Sequence, residues 1–324
     1  MAYLRLQDYF NFRIQEQQLT QVTQGNSTVR QSCELEAEAE MISYLVQRYD
    51  VDDEFRDIGN FVVNARHYAN DLIELNAAEY SNISTYTIES NCLYQGKVYV
   101  CTTAITTPES FNINKWQLVG NQYDLFYVKS PFPRYSYNTT YQVGDCVFYK
   151  GKVYRCNVSV TNIIPTDINK GSYYWSTGVD YVFINYNVYQ TPFDFNSWNN
   201  LTTYEQAENI LYQNQIYTSV KDNNLGVTPG TDINWWLPIT WVKGDNRSQQ
   251  LVAFLVDIVL YKIHMRIAPN NIPQLRKDNY TYCLDWLMQA GGQNNAITAN
   301  IPLLQPKQGT RIRWGSNIKN YNNY

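Results

Sequence analysis

Three copies of one motif lie in the middle of this chain, and they constrain its fold more than any other feature. Each copy has one tyrosine, a second tyrosine eight residues later and a third five residues after that, before a proline and a tryptophan. The copies run through Tyr86, Tyr94, Tyr99, Pro108 and Trp116, then Tyr141, Tyr149, Tyr154, Pro165 and Trp175, then Tyr204, Tyr212, Tyr217, Pro229 and Trp235. Repetition at this spacing indicates an array of similar small units. We therefore predict modules at 85–120, 139–178 and 202–240, with linkers at 61–84, 121–138 and 179–201.

Each copy also carries the pattern of a β-hairpin. Short apolar stretches flank the turns Gln95-Gly96, Lys150-Gly151 and Gln213-Asn214. Glycine or asparagine at the second turn position supplies the positive φ that a two-residue hairpin turn needs. A loop with proline follows, and then a strand with tryptophan. The sequence predicts three small all-β modules.

The flanking segments read as helices, at residues 28–50, 248–267 and 273–291. Ser27 or Thr28 can cap the first helix, and Gly291-Gly292 can end the third. Apolar residues spread around most of the second helix, which predicts that it is the central one. Neither flank is long enough to bury much surface alone, but together they reach about 140 residues, a common domain size. The predicted fold class is α+β multidomain: a helical bundle of residues 1–60 plus 245–324, split by an inserted all-β array of three hairpin modules.

Composition excludes some broad classes. The formal charge of the 324 residues is −4, which disfavours a general nucleic-acid binder. The N-terminal residues lack the apolar core of a signal peptide, and the longest apolar run, Leu251 to Tyr261, is too short to span a bilayer and contains Asp257. We expect a soluble, unsecreted protein that is made in the cytoplasm and does not insert into a membrane.

The six cysteines do not form a disulfide pattern. In the predicted hairpins, Cys146 and Cys156 point to opposite sheet faces, because side chains alternate along a strand. Cys92 and Cys101 share a face, but only diagonally. We therefore expect six reduced thiols, as is usual for cytosolic synthesis.

Catalytic signatures are missing from the sequence. The only histidines, His67 and His264, lie far apart and have no ligand spacing to a cysteine pair, and no phosphate-binding glycine loop occurs. The acidic cluster at 52–54 is more typical of a helix terminus than of a metal site. We expect a protein that is not an enzyme and that needs no cofactor.

The flanks resemble a phage protein family. Residues 40–49 (EMISYLVQRY) resemble the "YL..RY" helix of head-completion, or head–tail connector, proteins; residues 257–261 (DIVLY) and 279–287 (NYTYCLDWL) look like the second and third helices of that family. This family joins its first two helices by a short loop, where this chain has the whole array. The low charge and the abundance of tyrosine and asparagine are similar to virion ring proteins of crAss-like phages. The alternative is a plain four-helix bundle with generic spacing.

The resemblance implies a structural virion protein of the head–tail connector region. Such proteins bind beneath the portal protein as homo-oligomeric rings of about twelve copies. They line the DNA channel without sequence-specific binding, and they dock other tail or ring proteins and fibres.

Two sets of charged residues in the flanks are candidates for contacts. Asp257 lies within an apolar helix, where a lone carboxylate is costly, and Arg48 at the end of the first helix is its predicted partner. The alternative is that Asp257 faces solvent or a neighbouring subunit. The C-terminal segment has no acidic residue after Ile301 and is a candidate contact for the portal or a neighbour through Lys307, Arg311, Arg313 and Lys319.

The repeats resemble a second family, the small chitin-binding-type carbohydrate-binding modules. Residues 144–154 (GDCVFYKGKVY) match that motif best, and Trp235-Trp236 keeps its double tryptophan. The resemblance implies aromatic faces for a glycan or a partner at Tyr99, Trp116, Tyr154, Tyr174, Trp175, Tyr217, Trp235 and Trp236. The alternative is that these rings form the cores of modules too small to have another core. We expect protein–protein contact ahead of glycan binding, and a carbohydrate-binding or receptor-binding virion component is the alternative function.

Overall fold

Helices and small β-sheets together make up the structure, a computed structural model that describes residues 3–63, 65–68, 70–130, 132–180, 182–184, 195–213, 215–239, 241–292 and 297–304. The α-helices of this part of the chain are α1 (Leu6–Phe12), α2 (Glu16–Thr23), α3 (Ser27–Leu45), α4 (Val51–Glu54), α5 (Gly171–Tyr174), α6 (Gln249–Ile267) and α7 (Gln274–Gly291). The three predicted helices are confirmed as α3, α6 and α7, although α3 ends at Leu45 rather than at residue 50. Among the described residues, no helix has the length and apolarity needed to cross a membrane.

The strands are short. In chain order they are β1 (Gly59–Asn60), β2 (Arg66–Tyr68), β3 (Leu72–Glu74), β4 (Asn91–Tyr94), β5 (Lys97–Cys101), β6 (Trp116–Asn121), β7 (Leu125–Val128), β8 (Thr140–Tyr141), β9 (Cys146–Tyr149), β10 (Lys152–Arg155), β11 (Val160–Thr161), β12 (Val179–Asp180), β13 (Val182–Ile184), β14 (Thr203–Tyr204), β15 (Asn209–Tyr212), β16 (Gln215–Ser219), β17 (Asn224–Leu225), β18 (Trp236–Pro238) and β19 (Trp241–Lys243).

Helix α6 lies at the centre of the helical part. It contacts α1, α2, α3 and α7, and most of it between Leu251 and Ile263 is buried, as its apolar surface predicts. Its side chains share one hydrophobic cluster with residues from both ends of the chain, between Tyr3 and Val51 and between Cys283 and Ile301. Each fully buried Leu, Ile or Val stabilises this cluster by roughly 1.5–3 kcal/mol.

Local chemistry sets the helix ends. Asn26 caps α3, because its side-chain oxygen accepts a hydrogen bond of 2.9 Å from the backbone N–H of Thr28. The cap is therefore Asn26, rather than the predicted Ser27 or Thr28. At the other end of the core, α7 comes so close to α3 that a Cβ on Gly291 would collide with the carbonyl oxygen of Tyr44. Glycine is required there for the close approach of two backbones.

The two ends of the long central segment meet at one carboxylate. Glu54, the last residue of α4, accepts hydrogen bonds from the Tyr3 hydroxyl at 2.6 Å and from the backbone N–H of Ser248 at 2.8 Å. Ser248 directly precedes α6. Glu54 therefore brings together the N-terminal segment, the end of α4 and the start of α6.

Segments outside the predicted modules form a sheet of their own. The strands β1, β3, β7 and β19 pair in that order, with β1 parallel to β3 and the other neighbours antiparallel. Strand β2 pairs with β13. The stretches 61–84, 121–138 and 179–201, which the sequence predicts as linkers, thus contribute strands. The apolar runs in these stretches are too few and too short to predict the strands from the sequence.

Each module is built around a three-stranded antiparallel sheet. The sheets are β4–β5–β6, β9–β10–β12 and β15–β16–β18. The predicted hairpin turns are present: φ is 50° at Gln95 and 71° at Gly96, and 47° at Lys150 and 79° at Gly151. Both central residues of these turns are left-handed, which fits the turn that joins two twisted strands. Asn214, in the third turn, lies outside the described residues.

The outer faces of the modules pack against different partners. In the first module, Leu93 and Val98 cluster with Ile73 and Leu75 from the segment that carries β3. In the second and third modules, Phe148 and Val153 cluster with Ile216 and Ile239. The second and third modules therefore share one apolar cluster, which Val128 of β7 joins, whereas the first module packs against the four-stranded sheet without the other two.

A buried network of charges ties the N-terminal segment to the start of α6. Arg247 donates to Asp8 at 2.8 Å, to Asp245 at 2.7 Å and to the carbonyl of Tyr3 at 2.6 Å. Arg5 bridges Asp8, at 3.2 Å, to Glu74 of β3, at 3.3 Å. Burial by itself would lower the pKa of Arg247, but its hydrogen bonds to Asp245 and Asp8 raise that pKa above the ordinary value.

The Arg247 network gives a stability test. We expect Arg247→Gln to lower the free energy of unfolding by roughly 3–5 kcal/mol, because the substitution leaves buried carboxylates without their partner. The matched control is Lys243→Gln, since Lys243 pairs with Asp124 at 2.8 Å but is 59% exposed. We expect a loss of less than about 1 kcal/mol there. Urea unfolding at neutral pH measures both, and equal losses would contradict a structural role for the network.

Candidate functional site

The three modules share a hydrogen-bonded frame around the first tyrosine of each repeat. This tyrosine hydroxyl accepts a 2.7 Å hydrogen bond from a backbone N–H five residues earlier. The pairs are Ser81 with Tyr86, Ser136 with Tyr141, and Asn199 with Tyr204. Backbone bonds extend the frame to Ala78, Pro133 and Asn196, ahead of the predicted starts at 85, 139 and 202. We call residues 78–121, 133–180 and 196–238 modules one, two and three.

Four aromatic rings recur at equivalent positions of this frame, and we call each set the aromatic quartet of its module. The quartets are Tyr80, Tyr94, Tyr99 and Trp116 in module one, Tyr135, Tyr149, Tyr154 and Trp175 in module two, and Trp198, Tyr212, Tyr217 and Trp236 in module three. The sequence analysis missed the first ring of each quartet. Its signal was available, because an aromatic residue stands six positions before the first tyrosine of every repeat.

The shared tryptophan of module three is Trp236, which corrects the predicted Trp235. Trp236 is fully buried, and its ring meets Tyr204 edge-on with centroids 5.3 Å apart. The tryptophans of modules one and two meet their tyrosines in the same way, at 5.1 and 5.3 Å. The repeats differ in length between the third tyrosine and the tryptophan, and therefore the spacing alone could not choose between two adjacent tryptophans.

Most of the predicted ligand-binding aromatics lie in module cores. Trp116, Trp175, Trp236, Tyr99 and Tyr154 are at most 8% exposed. Tyr174, Tyr217 and Trp235 are partly buried. The ammonium of Lys221 lies 5.0 Å from the centroid of the Trp235 ring, a cation–π contact that occupies one face. The five buried rings therefore lie where the alternative interpretation put them, in the cores of small modules.

A cleft of 660 Å³ opens between modules two and three. Its lining is rich in hydroxyl and amide groups and includes Ser176, Thr177, Asn196, Thr202, Thr203, Gln206 and Asn209, beside the ring of Phe195. Arg155 of module two forms ion pairs with two carboxylates of module three, Glu205 at 3.3 Å and Asp222 at 2.5 Å. A second groove of 410 Å³ on module two, beside Tyr154, shares Ser176 and Thr177 with the first.

The buried Asp257 binds Arg13, and the predicted pair with Arg48 is wrong. Arg13 Nε lies 2.8 and 2.9 Å from the two carboxylate oxygens, and Asn279 Nδ2 lies 3.2 Å from one of them. The hydrogen bond to Asp257 raises the pKa of Arg13. A guanidinium nitrogen of Arg276 lies 3.9 Å from the Asp257 carboxylate. The prediction that Asp257 is a paired, buried carboxylate holds, but its partner comes from the end of α1.

Arg48 makes different contacts. It lies beyond the end of α3 and beside the end of α7. Its guanidinium donates to the carbonyls of Ala290, at 2.6 Å, and Ile297, at 3.0 Å. The last carbonyls of a helix need donors from outside the helix, and Arg48 supplies one. The side chain therefore joins the ends of two helices.

All six cysteines are free and buried, and burial raises the pKa of Cys92, Cys146 and Cys283 to about 12, which keeps these thiols protonated at neutral pH. Lys307, Arg311, Arg313 and Lys319 lie outside the described residues. The acidic cluster belongs to α4 and its end. Within the described ranges, no three His, Cys, Asp or Glu side chains are grouped to hold a metal ion.

No family model matches the chain, and no curated protein matches it.

A double-mutant cycle tests the Asp257 site. We expect Arg13→Gln and Asp257→Asn each to lower the free energy of unfolding by about 1–3 kcal/mol, because a buried polar group loses its partner. The two changes should couple by about 1–2 kcal/mol. Arg48→Gln is the matched control, and its effect should add to that of Asp257→Asn within about 0.5 kcal/mol. Urea unfolding of the set measures the coupling, and coupling to Arg48 rather than Arg13 would refute the assignment.

Proposed function

We propose that this protein is a structural virion component that assembles as a ring between portal and tail, with its helices as the connector and its β modules at the periphery. The observation that carries the proposal is the helical core. Helices from both ends of the chain surround α6, and a helical core of this kind is what the resemblance to connector proteins implies. The contact of Glu54 with Ser248 supports an array inserted at a single point of a helical bundle.

Exposed apolar side chains on the helices support assembly. On α7, Leu275, Tyr282 and Met288 are 67, 62 and 52% exposed, and on α3, Leu35 is 65% exposed. Contiguous exposed apolar patches mark protein contact surfaces, and these side chains would contribute to such a patch in the ring. In a ring, one such surface of each subunit would contact a different surface of the next.

The charge of the chain suits a channel. DNA passes such a ring without being read, and tight phosphate binding would impede its movement. The net charge of −4 keeps general attraction for DNA low. Modules two and three, tied to each other through Phe148, Ile216 and the Arg155 bridge, would form a stiff part of a collar for fibres or neighbouring rings.

Electron microscopy tests this function. The purified chain, alone and mixed with the portal protein of the same virus, is examined by negative stain and by mass photometry. We expect a ring layered on the portal, with knobs at its outer edge. Monomers beside bare portals would refute the connector role.

A pair of variants sharpens the same test. We expect Leu275→Ser combined with Tyr282→Ser to abolish the ring while the chain stays folded, because both side chains are exposed on α7. Ile168→Ser is the matched control, since Ile168 is 98% exposed but lies in module two. Ring formation should survive this control change.

The cleft between modules two and three favours a second candidate function, the binding of a neutral glycan. A run of hydroxyl and amide groups beside an aromatic ring can bond sugar hydroxyls and stack on a sugar face. Arg155 is neutralised by Glu205 and Asp222, and it therefore does not favour an anionic ligand.

Glycan binding is tested on an oligosaccharide array followed by titration. We expect Asn196→Ala combined with Gln206→Ala to weaken binding by about tenfold or more, because two hydrogen-bonding groups of the cleft are removed. Asn138→Ala, an exposed change elsewhere on module two, is the control. Trp236→Ala is unsuitable, because this ring is core. Absence of array binding, or binding indifferent to the double change, would exclude this function.

A further inference from the structure

One face of α3 is exposed and carries small and apolar side chains. Leu35, Ala39, Ser43 and Val46 recur at intervals of three or four residues, which places them on one side of the helix. Leu35 is 65% and Val46 44% exposed, and Ala39 and Ser43 are exposed as well. The opposite side of α3 lies in the helical core. We call the four exposed residues the α3 stripe.

The α3 stripe runs at one end into a groove of 430 Å³. Leu35 belongs to both, and it lines the groove together with Leu4, Leu6 and Ile58. Leu6 is 46% exposed. The groove, which we call the α3 groove, is large enough for a whole aromatic side chain and offers aliphatic surface to it.

The charged side chains of the α3 groove are paired within the chain. Arg30 lies 2.6 Å from Glu34, and Arg5 lies 3.3 Å from Glu74 and 3.2 Å from Asp8. Both arginines of the groove lining are thus neutralised by carboxylates. The groove therefore favours a neutral side chain over an ion.

The described chain ends beside α3 and is directed toward the stripe. Residues 302–304 pair antiparallel with residues 48–50, through two backbone hydrogen bonds of 2.8 Å. The N–H of Leu304 makes the last of them, to the carbonyl of Arg48. Because the residue number rises along one segment as it falls along the other, the chain at Leu304 is directed toward the end of α3, where Val46 begins the stripe.

The residues that follow have the charge that complements α3. Residues 305–324 contain two lysines, two arginines and no acidic residue, whereas α3 contains four glutamates and one arginine. Two of these glutamates, Glu36 and Glu38, flank the stripe, one on each side of it. Opposite charges on the two segments favour their association.

The length of the segment matches the distance to the groove. From Leu45 to Leu35, α3 measures about 15 Å at 1.5 Å per residue. Ten residues of extended chain span up to about 33 Å. Trp314, the tenth residue after Leu304 and the one tryptophan of residues 305–324, is therefore within reach of the α3 groove.

We propose that residues 305–324 dock on α3 of their own chain, with the ring of Trp314 in the α3 groove and the arginines on either side of Ile312 beside Glu36 and Glu38. The stripe receives the segment between Leu304 and the tryptophan. The proposal does not depend on the ring assignment. In a ring, the docked segment would form part of the surface that α3 offers to a neighbour.

The polar rim of the groove suits an indole better than a purely aliphatic side chain. The amides of Gln31 and Asn60 line the groove, and both residues are exposed. A buried tryptophan needs an acceptor for its Nε1–H, as Trp175 and Trp236 show with carbonyls at 2.9 and 2.7 Å. The side-chain oxygen of either amide can serve as that acceptor for Trp314.

Tryptic cleavage of the whole folded chain tests the docking. Mass spectrometry follows the rate of cleavage after Arg311 and Arg313, in the protein and in a synthetic peptide of residues 305–324. We expect cleavage of the protein to be slower by about tenfold or more, because a docked segment must open before the protease can bind it. Equal rates in protein and peptide would overturn the proposal.

Matched variants identify the surface. Leu35→Ser and Trp314→Ser should each raise the cleavage rate about fivefold or more, toward the rate of the peptide. Leu275→Ser is the control, since Leu275 is 67% exposed but lies on α7, and it should leave the protection unchanged. Thermal melts check that each variant folds. Protection that persists in Leu35→Ser would mean that the segment docks elsewhere, and the proposal would fail.

Crosslinking separates docking within one chain from docking on a neighbour. Unlabelled and ¹⁵N-labelled chains are mixed in urea, refolded together and treated with a carbodiimide, which joins lysine amines to carboxylates. We expect Lys307 or Lys319 to be joined to Glu36 or Glu38 in peptides that are wholly labelled or wholly unlabelled. Crosslinks between labelled and unlabelled peptides, or no crosslink to α3, would contradict docking on the same chain.

Discussion

The burial of α6 is the constraint on which the rest of the structure depends. This helix is apolar on nearly every side and cannot face water, so it needs neighbours all around it. Its own flank supplies α7, and the remaining cover comes from α1, α2 and α3 at the far end of the chain. The helical core therefore closes only when the two ends meet. The Glu54 carboxylate and the Arg247 network sit at that junction, where they hold the N-terminal segment against the start of α6.

Within the modules, one tyrosine hydroxyl and one tryptophan ring set the frame. The hydroxyl bonds the backbone five residues earlier, and the ring meets the same tyrosine edge-on, with nearly equal distances in all three copies. Around that frame the copies vary freely. Position 101 is Cys, position 156 is Cys and position 219 is Ser, yet each side chain donates to a carbonyl two residues later. The three copies thus keep the same hydrogen-bond geometry even where the side chain differs.

Much of this could be predicted from the sequence, and the failures have physical reasons. The helices, the hairpin turns and the facing of the cysteines follow from periods and turn residues, which are local properties. The pair of Arg48 with Asp257 was wrong because the choice among cations depends on how helices pack, and Arg13 at the end of α1 comes closer. The strands β2, β3, β7 and β13 were missed because each is three or four residues long, and pairing across the sheets, rather than local pattern, forms them. Trp235 was chosen over Trp236 because the loop before them differs in length between copies.

The outer faces of the modules limit how such an array can change in length. Modules two and three bury theirs against each other and against Val128 of β7, and module one buries its own against Ile73 of β3 in the same four-stranded sheet. Modules two and three therefore form a pair, module one packs separately, and the three modules are not equivalent in their contacts. Loss of module three would remove Ile216 from the cluster that covers Phe148 and Val153. The contacts between copies therefore constrain the loss of a copy, even though each copy carries a complete frame.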